Sequence, residues 1–413
     1  MPRDAVVIGG GVIGHTSALA LLRAGYAVTL FDPMREPCGA SWGNAGHIAI
    51  EQPEPWASWP SIRSAPGRLF ARGGALDFRL RDIDRWLPFS LRLMVAASPA
   101  SFARGKAALA SLLAQTDGAW KRLAADLGDP GLYRQSGQFL VWESAATAAG
   151  GMAHWRKADL GTASFRGATP EELARLAALM KKPPAGAIRF SGTGQISDPT
   201  LLAAALARTF EARGGNRRYE RANRIEIANG RTDVLLDGGE RIAADIVLVA
   251  AGVRSGEVLR GTGLSVPLIA ERGYHIQAET QTWPHDLGPI IFEDRSLIVT
   301  RFASSVRAAS FLEFGRPDTP PDPRKWEKLR FHMRDLGLPF DLPGKHWMGS
   351  RPTLPDYLPA IGRSTRAPNL LYAFGHQHLG LTLSAITGEI VGALASGAPP
   401  PVPVAPFRIE RFG

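Results

Sequence analysis

An α/β fold with a Rossmann-type unit at its start is predicted by three features of this 413-residue sequence. The first is a βαβ pattern from Asp4 to Asp32. The second is a buried-type strand, Ile246–Gly252, that ends in small residues. The third is a strand and helix, Asn369–Phe374 and Leu383–Ala395, separated by a Gly-His-Gln-His turn.

In the first pattern, the apolar run Ala5–Ile8 leads into Gly9, Gly11 and Gly14. An Ala/Leu helix, Thr16–Ala24, follows, and a second strand, Val28–Phe31, ends on Asp32. Gly9 permits a tight turn, Gly11 lets backbone approach a pyrophosphate, and Gly14 lets the helix lie close on the strand. The helix start offers free N–H groups and partial positive charge to phosphates. Asp32 is placed to accept from a ribose diol. Together these residues predict dinucleotide binding.

Further along, 86–127 reads as helix with a break near Ser98-Pro99, and Gly137–Glu143 alternates as a strand. Asp198 reads as the N-cap of a helix over Pro199–Arg213, which Gly214-Gly215 ends. Short strands at 224–228, 232–236 and 241–243 are joined by Asn229-Gly230 and Asp237-Gly238-Gly239 turns. In Ile246–Gly252, Ala251 and Gly252 let backbone lie beneath a ligand. A strand-rich region spans 266–314, a helix is predicted over Arg324–Leu336, and the tail 399–406 reads as extended.

The length suits two domains sharing an interface. No run of about 18 apolar residues is present, so no membrane-spanning helix is predicted. The fingerprint strand begins at Ala5, which predicts no secretory leader. The single cysteine, Cys38, excludes a disulfide framework, predicts a cytoplasmic location, and reads as a packing residue. The net charge of +10 is dispersed rather than blocked. No nucleic acid partner is expected from it. The interval Trp56–Phe102 mixes aromatic residues with arginines, which suits either peripheral contact with an anionic membrane face or a surface with buried rings.

Seven motifs in order resemble the D-amino-acid oxidase superfamily of FAD enzymes, and within it the bacterial D-amino acid dehydrogenase branch. They are Gly9/Gly11/Gly14 with Asp32; Gly39-Ala-Ser-Trp-Gly-Asn-Ala-Gly46; the Asp198-Pro199 helix start; Ala250-Ala-Gly252; Arg272-Gly-Tyr274; Arg351-Pro352 with Pro355-Asp356, Pro359 and Gly362; and Gly375-His-Gln-His-Leu-Gly-Leu-Thr382. The resemblance implies an FAD-binding domain of 1–50, 198–265 and 348–413. It implies a mixed-sheet α+β substrate domain of 51–197 and 266–347, interleaved with the first.

By the same resemblance, Gly9, Gly11, Val12, Ile13 and Gly14 hold the FAD pyrophosphate, Asp32 the ribose, and Ser41, Asn44, Ala45 and Gly46 the flavin ring system. Ala251 and Gly252 lie under the cofactor. Gly375, Leu379, Gly380, Leu381 and Thr382 present backbone N–H groups to the flavin pyrimidine. Relatives that bind flavin covalently use a histidine where this chain has Gly43, so non-covalent FAD is expected. Arg351 matches the arginine that grips a substrate carboxylate, a structural pair with Asp356 being its alternative. Tyr274 matches a tyrosine donating to the same carboxylate. His47, His376 and His378 are further catalytic candidates, and Arg301 and Arg307 are weaker second clamps. His275 is expected outside the site, and no metal is expected. The implied reaction is oxidative deamination of D-amino acids, D-proline and hydroxyproline types among them, with electrons passing to a quinone or another acceptor. The alternatives are a glycine- or sarcosine-type oxidase using oxygen, and a non-catalytic FAD-binding assembly or RNA-associated protein.

Overall fold

The computed structural model describes residues 3–280 and 282–413. Its first sheet has six strands in the order Asn216–Arg218, Tyr26–Phe31, Arg3–Ile8, Ile246–Val249, Leu370–Phe374 and Ala360–Arg363. All neighbours run parallel except the last pair. Ile246–Val249 is buried throughout, as a parallel strand covered on both faces must be. Helix Val12–Arg23 packs on the C-terminal helix Ser384–Ser396. The approach is close because a Cβ on Gly388 would meet the Thr16 carbonyl at 2.8 Å.

A second, mixed sheet has nine strands. Eight follow the order Lys345–Thr353, Ile269–Glu279, Ser305–Gly315, Leu297–Arg301, Ile290–Phe292, Gln138–Trp142, Gly186–Ser191 and Ser164–Gly167, and Leu76–Phe78 pairs with Ser305–Gly315. Strand Lys345–Thr353 runs through the 347/348 boundary that the resemblance implies, and carries Arg351 as part of this second sheet. Gln138–Trp142 is buried at all five positions rather than on one face. Phe139 and Val141 join the cluster around Tyr274, while Leu140 and Trp142 join the one around Trp155.

The helical region predicted over 86–127 breaks where expected, near Ser98-Pro99, into Ile83–Ala96 and Pro99–Asp126. The first buries only Phe89 and leaves Ile83, Leu87, Leu91, Met94 and Val95 exposed. Asp198 caps helix Pro199–Ala212 by accepting from the Thr200 N–H at 2.7 Å. The proline-rich tail turns through short 3-10 segments at Ala405–Phe407 and Ile409–Phe412. Cys38 is exposed and so is not a packing residue: it lies in the loop between Phe31 and His47, with no core above it. Three carboxylates, Asp77, Glu313 and Asp322, converge beneath the second sheet. The buried Lys325 ammonium sits among them, 2.5 Å from Asp77, hydrogen-bonded to Glu313 and 3.6 Å from Asp322, where it supplies the compensating positive charge.

Candidate active site

A cavity of about 1340 Å³ runs from the Gly9–Ile13 turn to the loop that follows strand Leu370–Phe374. At the first end the backbone is shaped for a ligand. Gly9 has φ of +113°, and a Cβ there would fall 2.4 Å from the Ala250 carbonyl oxygen. A Cβ on Gly14 would fall 1.8 Å from the Gly9 carbonyl oxygen, so the helix can approach only as glycine. Helix Val12–Arg23 starts at Gly11 with no side-chain cap hydrogen bond, although the Ser41 hydroxyl accepts from the Val12 N–H at 3.0 Å. Asp32 accepts from the Gly10 N–H at 2.6 Å and the Met34 N–H at 2.8 Å, and one carboxylate can still accept from a ribose. The turn, the helix start and the acid fit the ADP half of FAD.

Of the expected cofactor residues, Gly9, Gly11, Val12, Ile13, Asp32, Ser41, Asn44, Ala45, Ala251, Gly252, Leu379, Gly380 and Leu381 line the cavity. Gly14, Gly46, Gly375 and Thr382 stand behind its wall. Gly46 and Gly375 have φ of +70° and +77°, with Phe302 and Leu354 packed where a Cβ would go. Thr382 accepts from the Ala49 N–H at 3.1 Å and from the Trp120 indole at 2.9 Å, tying the loop to the core. The C-terminal helix begins only at Ser384, after a 3-10 turn at Gln377–Leu379.

All five catalytic candidates line the same cavity. Arg351 donates from Nη1 to Glu271 Oε1 at 3.0 Å and to the Phe311 carbonyl at 3.2 Å. Its acid is therefore Glu271, while Asp356 pairs with Arg411 at 2.6 Å. Glu271 is fully buried and also accepts from Thr353 at 3.3 Å and the Tyr357 hydroxyl at 3.2 Å. Among the described residues, three of the five non-glycine residues with positive φ gather here: Phe311 at 73°, Tyr357 at 56° and Gln377 at 47°. Gln377 donates to the Tyr357 carbonyl at 2.8 Å, so two strained turns brace each other. Such strain collects at ligand sites.

Tyr274 contributes its ring to the wall. Its hydroxyl donates to Glu313 at 3.1 Å and accepts from the Asp322 N–H and Arg272 at 3.2 Å. That fills a phenol's hydrogen-bonding capacity, so the carboxylate partner expected there is engaged elsewhere. Tyr357 is the phenol beside Arg351. Burial pushes His376 and His378 down to about 3 and His47 to about 4, so all three are neutral imidazoles near neutral pH. His376 pairs with Thr387 at 3.0 Å. His378 lies 5.0 Å from the Trp56 ring, and His47 Nε2 lies 3.7 Å from Glu51.

Neither Arg301 nor Arg307 lines the cavity. Arg307 is buried and donates to Gln277 at 2.6 and 2.8 Å and to the carbonyls of Trp42 and Asn44, which fixes the Ser41–Gly46 turn from behind. Arg301 donates to the Ser305 carbonyl at 3.4 Å. His275 donates from Nδ1 to the Gly43 carbonyl at 2.8 Å and stacks on Trp347 at 4.9 Å. Sequence reasoning missed Glu271, Tyr357 and Glu51, and it left Trp56 and Arg68 on the basic aromatic surface when they line the cavity. Glu271 stands immediately before the Arg272-Gly-Tyr274 motif, which was the available signal.

The chain is 31% identical to a D-amino-acid oxidase of Bradyrhizobium diazoefficiens, over 99% of each sequence. It is 28% identical to a D-amino acid dehydrogenase of Cereibacter sphaeroides, over 98% of this chain and 95% of the relative. Its fold resembles that of glycine oxidase from Geobacillus kaustophilus, with a TM-score of 0.74, 20% identity, and coverage of 99% of this chain and 98% of that one. Residues 4–394 match the profile of the FAD dependent oxidoreductase family, and the chain belongs to that family.

Proposed function

We propose that this FAD-dependent amino acid oxidoreductase deaminates D-amino acids oxidatively. The observation that carries the reading is Arg351, held by Glu271 and the Phe311 carbonyl at the wall of a cavity continuous with the dinucleotide cradle. The names of the two curated relatives favour the D-series. When bound, FAD supplies a hydride acceptor for the substrate Cα–H.

Arg351 orients the substrate through its carboxylate, and the neighbouring Trp56, Tyr357 and Tyr274 rings shape the space around it. Fixing the headgroup gives a reactive geometry that random encounter lacks. His47, His376 and His378 are neutral, so they add no positive charge beside the amine, which must lose its proton before Cα is oxidised. Loss of the Cα hydrogen with its electron pair leaves an imino acid, which water hydrolyses to a 2-oxo acid and ammonia. Gly43 supports non-covalent FAD: a Cβ there would fall 2.1 Å from Trp347, so a histidine has no room.

A lipid-soluble acceptor taken up at an anionic membrane surface is supported by helix Ile83–Ala96. Its exposed Leu87, Leu91, Met94 and Val95 are accompanied by exposed Arg81, Arg85 and Arg92. The cavity reaches beneath this helix to Phe89, Leu93 and Met94. No helix among the described residues is long and apolar enough to cross a membrane.

The test is a panel of D- and L-amino acids, D-proline, hydroxyprolines, glycine and sarcosine, scored for 2-oxo acid or aldehyde product. D-amino acids are expected to turn over and to yield 2-oxo acids, with little peroxide in air and faster turnover with a quinone. Turnover confined to glycine and sarcosine, with stoichiometric peroxide, would instead establish the amine oxidase reading.

A further inference from the structure

The cavity contains two guanidinium groups in unlike surroundings. Arg351 is paired with Glu271 at 3.0 Å. Arg68 ends the 3-10 turn Ala65–Arg68 and lines the same cavity. Its Nη2 donates to the Ser61 carbonyl at 2.8 Å, and its Nε is buried without a partner. Among the described residues no carboxylate lies within ion-pair distance of it. Tyr357, whose hydroxyl donates to Glu271 at 3.2 Å, lines the cavity with both guanidiniums; burial raises its pKa, and both arginine charges pull the other way.

The local charges do not balance. Arg351 and Glu271 cancel. The three histidines are neutral, and burial favours the protonated form of Glu51. The charge on Arg68 remains, and burial disfavours it, pulling its pKa down. An uncompensated, partly buried cation is unfavourable. A single carboxylate restores balance, and an amino acid with its amine deprotonated brings one.

We propose that Arg68 is the second arm of the carboxylate clamp, binding the substrate α-carboxylate opposite Arg351. This rests on the amino-acid reading of the site. It replaces the expected second clamps, Arg301 and Arg307, which point elsewhere. The segment from Ser58 to Arg72 thereby becomes part of the binding site. One guanidinium, oriented by Glu271, sets direction, and the other supplies the net charge.

The experiment uses the FAD-loaded full chain and its R68Q and R68K variants. Propionate binding is followed by the perturbation of flavin absorbance, which needs no turnover. R68Q is expected to weaken propionate about tenfold or more, with R68K recovering part of the loss. The KM for D-alanine should rise in parallel while kcat is largely kept, and D-alaninamide, which lacks the carboxylate, should be processed as by the parent. Unchanged propionate affinity in R68Q overturns the proposal. So do equal losses for D-alanine and D-alaninamide, which mark a merely structural role, and a loss confined to D-aspartate and D-glutamate, which marks a side-chain subsite. If R68Q fails to hold FAD, R68K decides alone, with weaker propionate binding supporting the proposal and parental affinity overturning it. If no amino acid reduces the parent protein, the functional reading fails, while the propionate titration still judges Arg68.

Discussion

Arg351 and Glu271 are registered neighbours on adjacent antiparallel strands, and Nη1 of the arginine lies 3.0 Å from Oε1 of the acid. The pairing fixes the plane of the guanidinium. It also depends on Gly273, because a Cβ there would fall 2.4 Å from Arg351 Nη2. Lysine at 351 keeps charge but loses the fork, so R351K is expected to lower kcat/KM by about 100-fold or more. G273A should displace the guanidinium with FAD still bound, raising KM for D-amino acids. Steady-state kinetics alongside flavin content checks both.

The cofactor cradle makes a second prediction. In G14A the new methyl would overlap the Gly9 carbonyl, since its Cβ position is 1.8 Å from that oxygen. The oxygen is backbone and cannot swing aside, so the helix must move off the strand. The variant should purify with little flavin, read as the ratio of visible to ultraviolet absorbance.

Burial of histidines gives the pH dependence of stability its sign. His47, His275, His332, His376 and His378 are pushed from 6.5 down to between about 3 and 4. Between 6.5 and those values the unfolded chain binds protons that the folded chain does not, so stability falls as pH falls through that window. Glu51 and Glu293 are raised by burial and act in the opposite sense, but five groups outnumber two. The melting temperature should drop steadily on acidification below pH 6.5, and H376N should flatten part of that slope.

The buried ion cluster predicts a contrast in stability. Lys325 and Glu313 are both fully buried. K325M strips Asp77 of the ammonium 2.5 Å away and leaves Glu313 with Arg272 at 3.0 Å and Arg79 at 3.6 Å, and should cost about 3–5 kcal/mol. Removing exposed Arg85 from its 3.5 Å pair with Asp84 should leave stability nearly unchanged. Urea melts of the two variants test the difference.

The sequence showed the dinucleotide cradle clearly because it is local: glycines, a helix start and an acid within about one βαβ unit. Arg351 and the loop histidines were also legible, each within a compact motif. Glu271 and Tyr357 were not, because their roles depend on strand register and left-handed backbone, which no side-chain pattern announces. Arg307 resembled a clamp by type alone, and only packing shows it turned toward the Trp42–Asn44 backbone. Arg68 was hidden among surface arginines because its burial depends on how the 59–72 segment folds over the cavity.

The most direct measurement is anaerobic addition of D-amino acids to the purified yellow holoprotein, beside R351K. The parent should bleach rapidly on substrate addition, and R351K should bleach only at far higher concentrations. A colourless parent with no affinity for FAD, no bleaching by any amino acid, or equal bleaching of both proteins would contradict the account.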